Sequence, residues 1–471
     1  MLTGLLAVLA VLTVRSRFDD PDMWWHLKMG EIIWKTHTIP RIDLFSYTTG
    51  GHAYIPHEWL SQLCIYSAFK FAGYSGLMAW LCLFSSAILI TGYILCCQYS
   101  KNAKVAFLGA IMIWLFATVG FAVRPQMIGY LFLIIELLLL HVGRTRDPRW
   151  FLALPLLFAT WVNSHGSFFF GLCLAGVVLC SSFFHFRFAY LVSPQWDARA
   201  RNMFAVAIVL SVAALFLNPI GIGQILYPVD MFLHQPINIG NVDEWHTLRF
   251  DDFRTVAFLG ILLCIAVIVP ARRARLSVDE LLMLVLGGWL AASHERMLFV
   301  FGILVAPILS RLLSNEWDGY SIEQDRPMPN LIVLASSALT IFLAFPNRPL
   351  LTDQVDANSP VKAVEFMKAN RLSGRMLNEY VYGGYLIWAT PENPVFVDGR
   401  ADIFEATGVL GDLLNWATLQ SDPNELLRKY RIDFCVLARQ SPMATVMPLL
   451  HWNKIYSDDN SVIFRRPENQ E

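Results

Sequence analysis

Apolar runs separated by short polar breaks occupy most of the first 350 positions. After an apolar opening at 1–14 they fall at 75–98, 103–123, 126–142, 149–163, 168–190, 202–217, 255–270, 278–292, 297–313 and 329–346. Most approach the roughly 17–25 residues that carry a helix through a hydrocarbon core, so the pattern predicts about eleven transmembrane helices. The opening run is short: at 1.5 Å per residue it spans about 21 Å against a core of about 30 Å. It also lacks the basic start of a signal peptide, which predicts a natural start upstream.

The pattern breaks twice. Residues 15–60 form a long polar loop holding Asp19, Asp20, Asp22, His26, Asp43, His57 and Glu58 among aromatics. Such a loop is too long for a simple helix connection and predicts a working role. Within it, Met23 to Gly30 reads as an amphipathic interfacial helix. From about Leu351 the chain turns soluble in character. Ser359-Pro360 predicts a capped helix over 361–370. Strands are expected at 375–380, 384–388, 395–398 and 434–437, helices at 409–419 and 423–430, and a closing hairpin at 452–456 and 461–465. The domain division that follows is a transmembrane region 1–350, including the loop 15–60, and a small α/β domain 351–471.

Composition agrees with the pattern: of 471 residues 56% are hydrophobic and only 15% charged, which marks an integral membrane protein. A formal net charge of −1 leaves no basic excess for nucleic acid. Seven of the eight cysteines lie in or beside apolar runs, and their spacing supports neither a disulfide framework nor a cysteine zinc site.

Basic residues set the expected orientation. Lys101 and Lys104, Arg144 to Arg149, Arg187 to Arg201, Arg272 to Arg275, and Arg311 with Arg326 fall in alternate connections. The positive-inside rule puts these in the cytoplasm, with the N-terminus, and the C-terminal domain outside. The outer connections then hold the candidate chemistry: the first loop, Arg124-Pro-Gln126, Asn163-Ser-His165, Asn218 with Asp243-Glu244-Trp245, and His294-Glu295-Arg296.

Asp20 and Asp22 flank a proline, and two close carboxylates can raise one another's pKa or share a divalent cation. Either could act as general base on an acceptor hydroxyl; capping of the following helix explains one of them but not three. His26, His57 and Glu58 are candidates for binding substrate, and His57, Glu58 and the Asp pair for a divalent metal, although neither His57-Glu58 nor His294-Glu295 continues as a metalloprotease motif. Arg124 and Arg296 have the bidentate donors that suit a phosphate, beside Gln126 and Glu295. Asn163 and His165 could hydrogen-bond a sugar. No Walker loop, Rossmann fingerprint or nucleophile elbow is present.

The string Asp20-Pro-Asp-Met-Trp-Trp-His-Leu27, then Pro40-Arg-Ile-Asp-Leu-Phe-Ser-Tyr47, then His57-Glu-Trp-Leu60, together with the many helices and the compact C-terminal domain, resembles the GT-C superfamily of membrane glycosyltransferases. Its members include protein O-mannosyltransferases, the aminoarabinose transferase of lipid A and the bacterial RgtA/B/C/D-like proteins. The resemblance implies inverting transfer of a sugar from a polyprenyl-phosphate-linked donor to a glycan, lipid or protein acceptor at the outer face of the bacterial inner membrane. It also implies an acid of the first loop as base, matched by Asp20 or Asp22, and cations on the carrier phosphate, for which Arg124 and Arg296 are candidates. Many relatives have Asp-Glu in this loop, so Asp-Asp-Pro-Asp leaves the base open between the two. The alternatives are a lipid-linked saccharide transporter and a non-catalytic envelope-assembly protein.

Overall fold

The computed structural model describes the chain except residues 194, 242–245, 315–318, 320–325 and 468–471. Asp243, Glu244 and Trp245 therefore lie outside the described residues. The chain divides into two compact units, Met1–Arg15 with Trp80–Pro228 and Asn241–Phe345, and Ser16–Ala79 with Val229–Gly240 and Pro346–Glu471. The first loop thus joins the C-terminal region, where the sequence division at 350 places it with the helices.

The first unit is helical. Its central element is Leu298–Leu312, buried along almost its entire length and packed on Ala103–Ala117 and Val278–Ser293. Phe301 meets Phe116 edge-on at 5.4 Å. The opening helix Leu2–Val14 packs on Pro327–Ala344, and the Trp114 indole donates to Thr13 Oγ1 at 2.8 Å. Other helices run Gln126–Thr145, Leu154–Val162, Phe168–Ser182, Ala198–Ala214 and Phe253–Ala271.

Among the described residues four helices, Tyr74–Ser100, Gln126–Thr145, Phe253–Ala271 and Pro327–Ala344, are long and apolar enough to cross a membrane. The remaining apolar runs form shorter helices, so the expected eleven spans are not reached by helix length. Leu263, Val267, Phe342 and Leu343 face outward, as side chains in contact with lipid would. The 168–190 run does not continue as one helix: it stops at Ser182, and 186–188 pairs antiparallel with 191–193.

In the second unit a four-stranded sheet has the order 376–378, 434–438, 461–465, 453–457; the first pair is parallel and the others antiparallel. The expected closing hairpin and the 434–437 strand are present. Two expected strands are not. Residues 383–389 form a helix, because Tyr-Leu-Ile-Trp-Ala satisfies either period. Gly384 lets it press on the Pro21 carbonyl, where a Cβ would collide. Residues 395–398 stay outside the sheet: Asn378 Oδ1 accepts from the Phe396 amide at 2.8 Å, and the Asn378 amide donates to the Val397 carbonyl at 2.8 Å. The helix Val361–Ala369 starts at Pro360 without a side-chain cap, so the Ser359 cap is not made.

The first loop is tied to this domain by backbone pairing. The Tyr47 amide donates to the Val395 carbonyl at 3.1 Å and the Val395 amide to the Phe45 carbonyl at 3.0 Å. Thr48 Oγ1 donates to the Phe396 carbonyl at 2.6 Å, and Trp24 meets Tyr385 edge-on at 5.0 Å.

Candidate active site

Two helices of the loop region, Met23–Thr36 and Trp59–Ala72, pack side by side. They run in the same direction: His26 reaches Glu58 and Gln62, and eight residues on Trp34 meets Tyr66. Their N-termini therefore lie together, with Asp22 and Glu58 at the two N-cap positions. Carboxylates there are favoured by the positive ends of both helix dipoles.

Neither acid caps a backbone amide with its side chain. Asp22 Oδ1 instead accepts the Trp25 indole N–H at 3.1 Å, and Asp20 Oδ1 accepts the Asp22 amide at 2.9 Å. Asp20 is buried and shapes the turn, whereas Asp22 is half-buried. The Trp25 ring lies against His26, centroids 3.6 Å apart and planes tilted by 36°. Glu58 lies between two imidazoles, its Oε2 3.8 Å from His26 Nδ1 and its Oε1 3.7 Å from His57 Nε2. Burial pushes His57 down to about 4, so it is neutral at physiological pH. The structure thus brings His26, His57 and Glu58 together and adds Gln62, whose amide nitrogen is 3.3 Å from His26 Nδ1.

Asp22 rests on the segment Asp398-Gly-Arg400 of the C-terminal domain. A Cβ on Gly399 would collide with Asp22 Oδ1, so only glycine lets the carboxylate lie there. The neighbours of Gly399 are locked: Arg400 donates to Asp398 through Nε at 2.8 Å and Nη2 at 2.6 Å, and its Nη1 stands 2.8 Å from Asp43 Oδ1. Asp43 Oδ2 accepts from Ser46 Oγ at 2.5 Å and Thr49 Oγ1 at 2.9 Å. Burial alone would raise the Asp43 carboxyl; the Arg400 charge, the Ser46 hydroxyl and the Phe45 amide outweigh it and bring it below the usual range. Asp43 is thereby a structural anchor. The signal for it was the spacing Asp398-Gly-Arg400, whose partner is more than 350 positions away.

The remaining candidates belong to the helical unit. Arg296 Nη2 donates to Gln126 Oε1 at 3.0 Å, and the Gln126 amide donates to the Gly120 carbonyl at 3.3 Å. Arg124 lies two residues before that helix start, with Pro125 at the N-cap. Glu295 lies 3.8 Å from Arg254, which also pairs with Asp252. His165 Nδ1 is 2.8 Å from Ser167 Oγ and lies against Gly129, one turn into the helix that Gln126 begins. Asn163 has a structural task, its amide donating to the Ala159 carbonyl at 2.7 Å and the Leu217 carbonyl at 3.0 Å.

The element order, the helical unit and the small C-terminal sheet align with solved structures along almost the entire chain. The oligosaccharyltransferase of Archaeoglobus fulgidus in the apo form aligns with a TM-score of 0.53 at 13% identity, over 93% of this chain and 69% of that one. The chain has the GT-C fold. AglB from the same organism, in complex with an inhibitory peptide and a dolichol-phosphate, gives 0.56 at 11% identity over 99% and 74%. ArnT from Cupriavidus metallidurans, bound to undecaprenyl phosphate, gives 0.51 at 13% identity over 99% and 98%. No protein-family profile and no curated protein sequence matches this chain.

Among the described residues no three His, Cys, Asp or Glu side chains converge as metal ligands.

Proposed function

We propose that the protein transfers a sugar from a polyprenyl-phosphate-linked donor to an acceptor hydroxyl at the outer face of the bacterial cytoplasmic membrane. The observation that carries this reading is the placement of Asp22: a half-buried carboxylate at a helix N-terminus, held by the Trp25 indole and given room by the missing Cβ of Gly399, in a fold whose solved examples include two bound to polyprenyl-type phosphates. Asp22 is the base. It takes the acceptor proton as the acceptor oxygen bonds to the anomeric carbon, while the bond from that carbon to the carrier phosphate breaks and polyprenyl phosphate leaves. Asp20 positions Asp22 through its amide. Arg296, oriented by Gln126, and Arg124 supply cations for the phosphate. His26 and the Glu58–His57 group offer hydrogen bonds to sugar or acceptor.

Transfer of labelled sugar from polyprenyl-phosphate donors to endogenous acceptors tests this, in membranes carrying the wild type or the Asp20→Asn/Asp22→Asn double variant. Label confined to the wild type supports it; equal label in both sinks it.

One observation favours a transporter reading. Glu136 lies midway along Gln126–Thr145, fully buried, and neither oxygen has a hydrogen-bond partner among the described residues. Ionisable groups at such depth mark ion or substrate pathways in membrane proteins. Glu136→Gln separates the readings: a transporter loses substrate movement, whereas the transferase keeps its rate.

A further inference from the structure

The helical unit holds a cavity of about 320 Å³ at the opposite end of its helices from Arg124 and Arg296. Gln126 begins the helix that carries Arg144 in its last turn, and the 18 residue steps from one to the other correspond to about 27 Å. The cavity gathers Arg144, Arg275, Arg311, Asp279 and Glu280, beside an apolar wall that includes Leu137, Leu140 and Met283. Its volume lies at the lower end of small-ligand sites and far exceeds the ~30 Å³ of one water.

The charges inside are unequally matched. Arg311 grips Glu280 with two donors, at 2.6 and 2.8 Å, which neutralises that pair. Arg144 reaches only Asp279 Oδ2, at 3.2 Å, while its guanidinium lies 5.1 Å from the centre of the Trp196 ring. Asp279 is 8% exposed, and its Oδ1 is buried with no partner among the described residues. Arg275 is exposed and forms no ion pair among the described residues. Among the described residues that line the cavity, three arginines face two carboxylates, and one buried acceptor lacks a donor. A ligand that completes this set carries an anionic phosphate for Arg275 and an N–H donor for Asp279.

We infer that this cavity binds a phosphate ester with a neighbouring ammonium group, the chemistry of phosphoethanolamine. A phospholipid headgroup and a water-soluble phosphoethanolamine share that chemistry. The apolar wall suits the glycerol and first methylenes of a lipid, and the basic connections at this end place it at the cytoplasmic leaflet by the positive-inside rule.

The test uses the full-length protein in a non-ionic detergent and follows its unfolding temperature. The additives are dihexanoyl phosphatidylethanolamine, O-phosphoethanolamine, dihexanoyl phosphatidylcholine and inorganic phosphate. Either ethanolamine compound is expected to stabilise the wild type, and whichever does so at lower concentration names the source. Phosphatidylcholine, which has no N–H, is expected to be at least tenfold weaker. Arg275→Ala truncates an exposed side chain, leaves the fold intact and is expected to weaken the effective ligand about tenfold; Asp279→Asn is expected to narrow the preference for ethanolamine over choline. Equal response to phosphatidylcholine, response to inorganic phosphate alone, no response at all, or unchanged binding in Arg275→Ala would each overturn the inference.

Discussion

The Arg400 guanidinium stands 2.8 Å from the Asp43 carboxylate, and both side chains are sealed from solvent. Asp43 belongs to the loop after the first helix and Arg400 to the C-terminal domain, so one buried ion pair, completed by Asp398, joins the segment that carries Asp22 to the segment on which Asp22 rests. Phe45 and Tyr54 lie against the guanidinium at 4.8 and 5.2 Å.

Removing one partner leaves the other charged, buried and unmatched. Arg400→Ala is expected to cost about 3–5 kcal/mol, read as a drop in unfolding temperature and as new protease cleavage in the loop. Arg400→Lys recovers little of it, because an ammonium cannot reproduce the fork on Asp398. A variant as stable as the wild type would show that the two segments are held by backbone pairing alone.

Gly399→Ala tests Asp22 without changing any charge. The added Cβ meets the end of a short side chain, so the carboxylate must swing away while the fold adapts. Transfer is expected to fall at least tenfold with little change in unfolding temperature. An unchanged rate would place the base elsewhere.

His57 sets a pH dependence with a defined sign. Its folded pKa, about 4, lies below its ordinary 6.5, so between these values the unfolded chain binds a proton that the folded one refuses. Stability is full above 6.5 and is lost as pH falls towards 4. Asp43 acts in a separate window: its lowered carboxyl contributes stability above the ordinary carboxylate value that disappears as pH falls below it. Unfolding temperature measured against pH in His57→Gln is therefore expected to be flatter between 6.5 and 4 only. Identical curves would assign the loss in that window to other groups.

Arg296→Ala should raise KM for the lipid-linked donor about tenfold or more, since a charge-assisted contact to phosphate is lost. Gln126→Ala should act in the same direction but less, because it orients the guanidinium at 3.0 Å without carrying charge. An Arg296 effect confined to kcat would move this residue from donor binding to the chemical step.

Helix positions were legible because apolar runs fix them: 126–142, 278–292 and 297–313 return as Gln126–Thr145, Val278–Ser293 and Leu298–Leu312. The acids of the first loop were legible as a group, and His26, Glu58 and His57 do meet. Their ranking was not, because Asp43 and Asp22 differ only in partners distant in sequence, Arg400 for one and Gly399 for the other. The 383–389 helix was misread as a strand because seven mixed apolar residues carry no distinguishing period.

The most direct measurement is the initial rate of labelled sugar transfer from a polyprenyl-phosphate donor in membranes holding equal amounts of wild type, Asp22→Asn and Asp20→Asn. General-base catalysis is worth about 10²–10⁴-fold, so Asp22→Asn is expected to lose at least a hundredfold, and Asp20→Asn, which loosens the turn but leaves the base, considerably less. An Asp22→Asn protein that transfers sugar at the wild-type rate would contradict the assignment of the first loop as the catalytic centre.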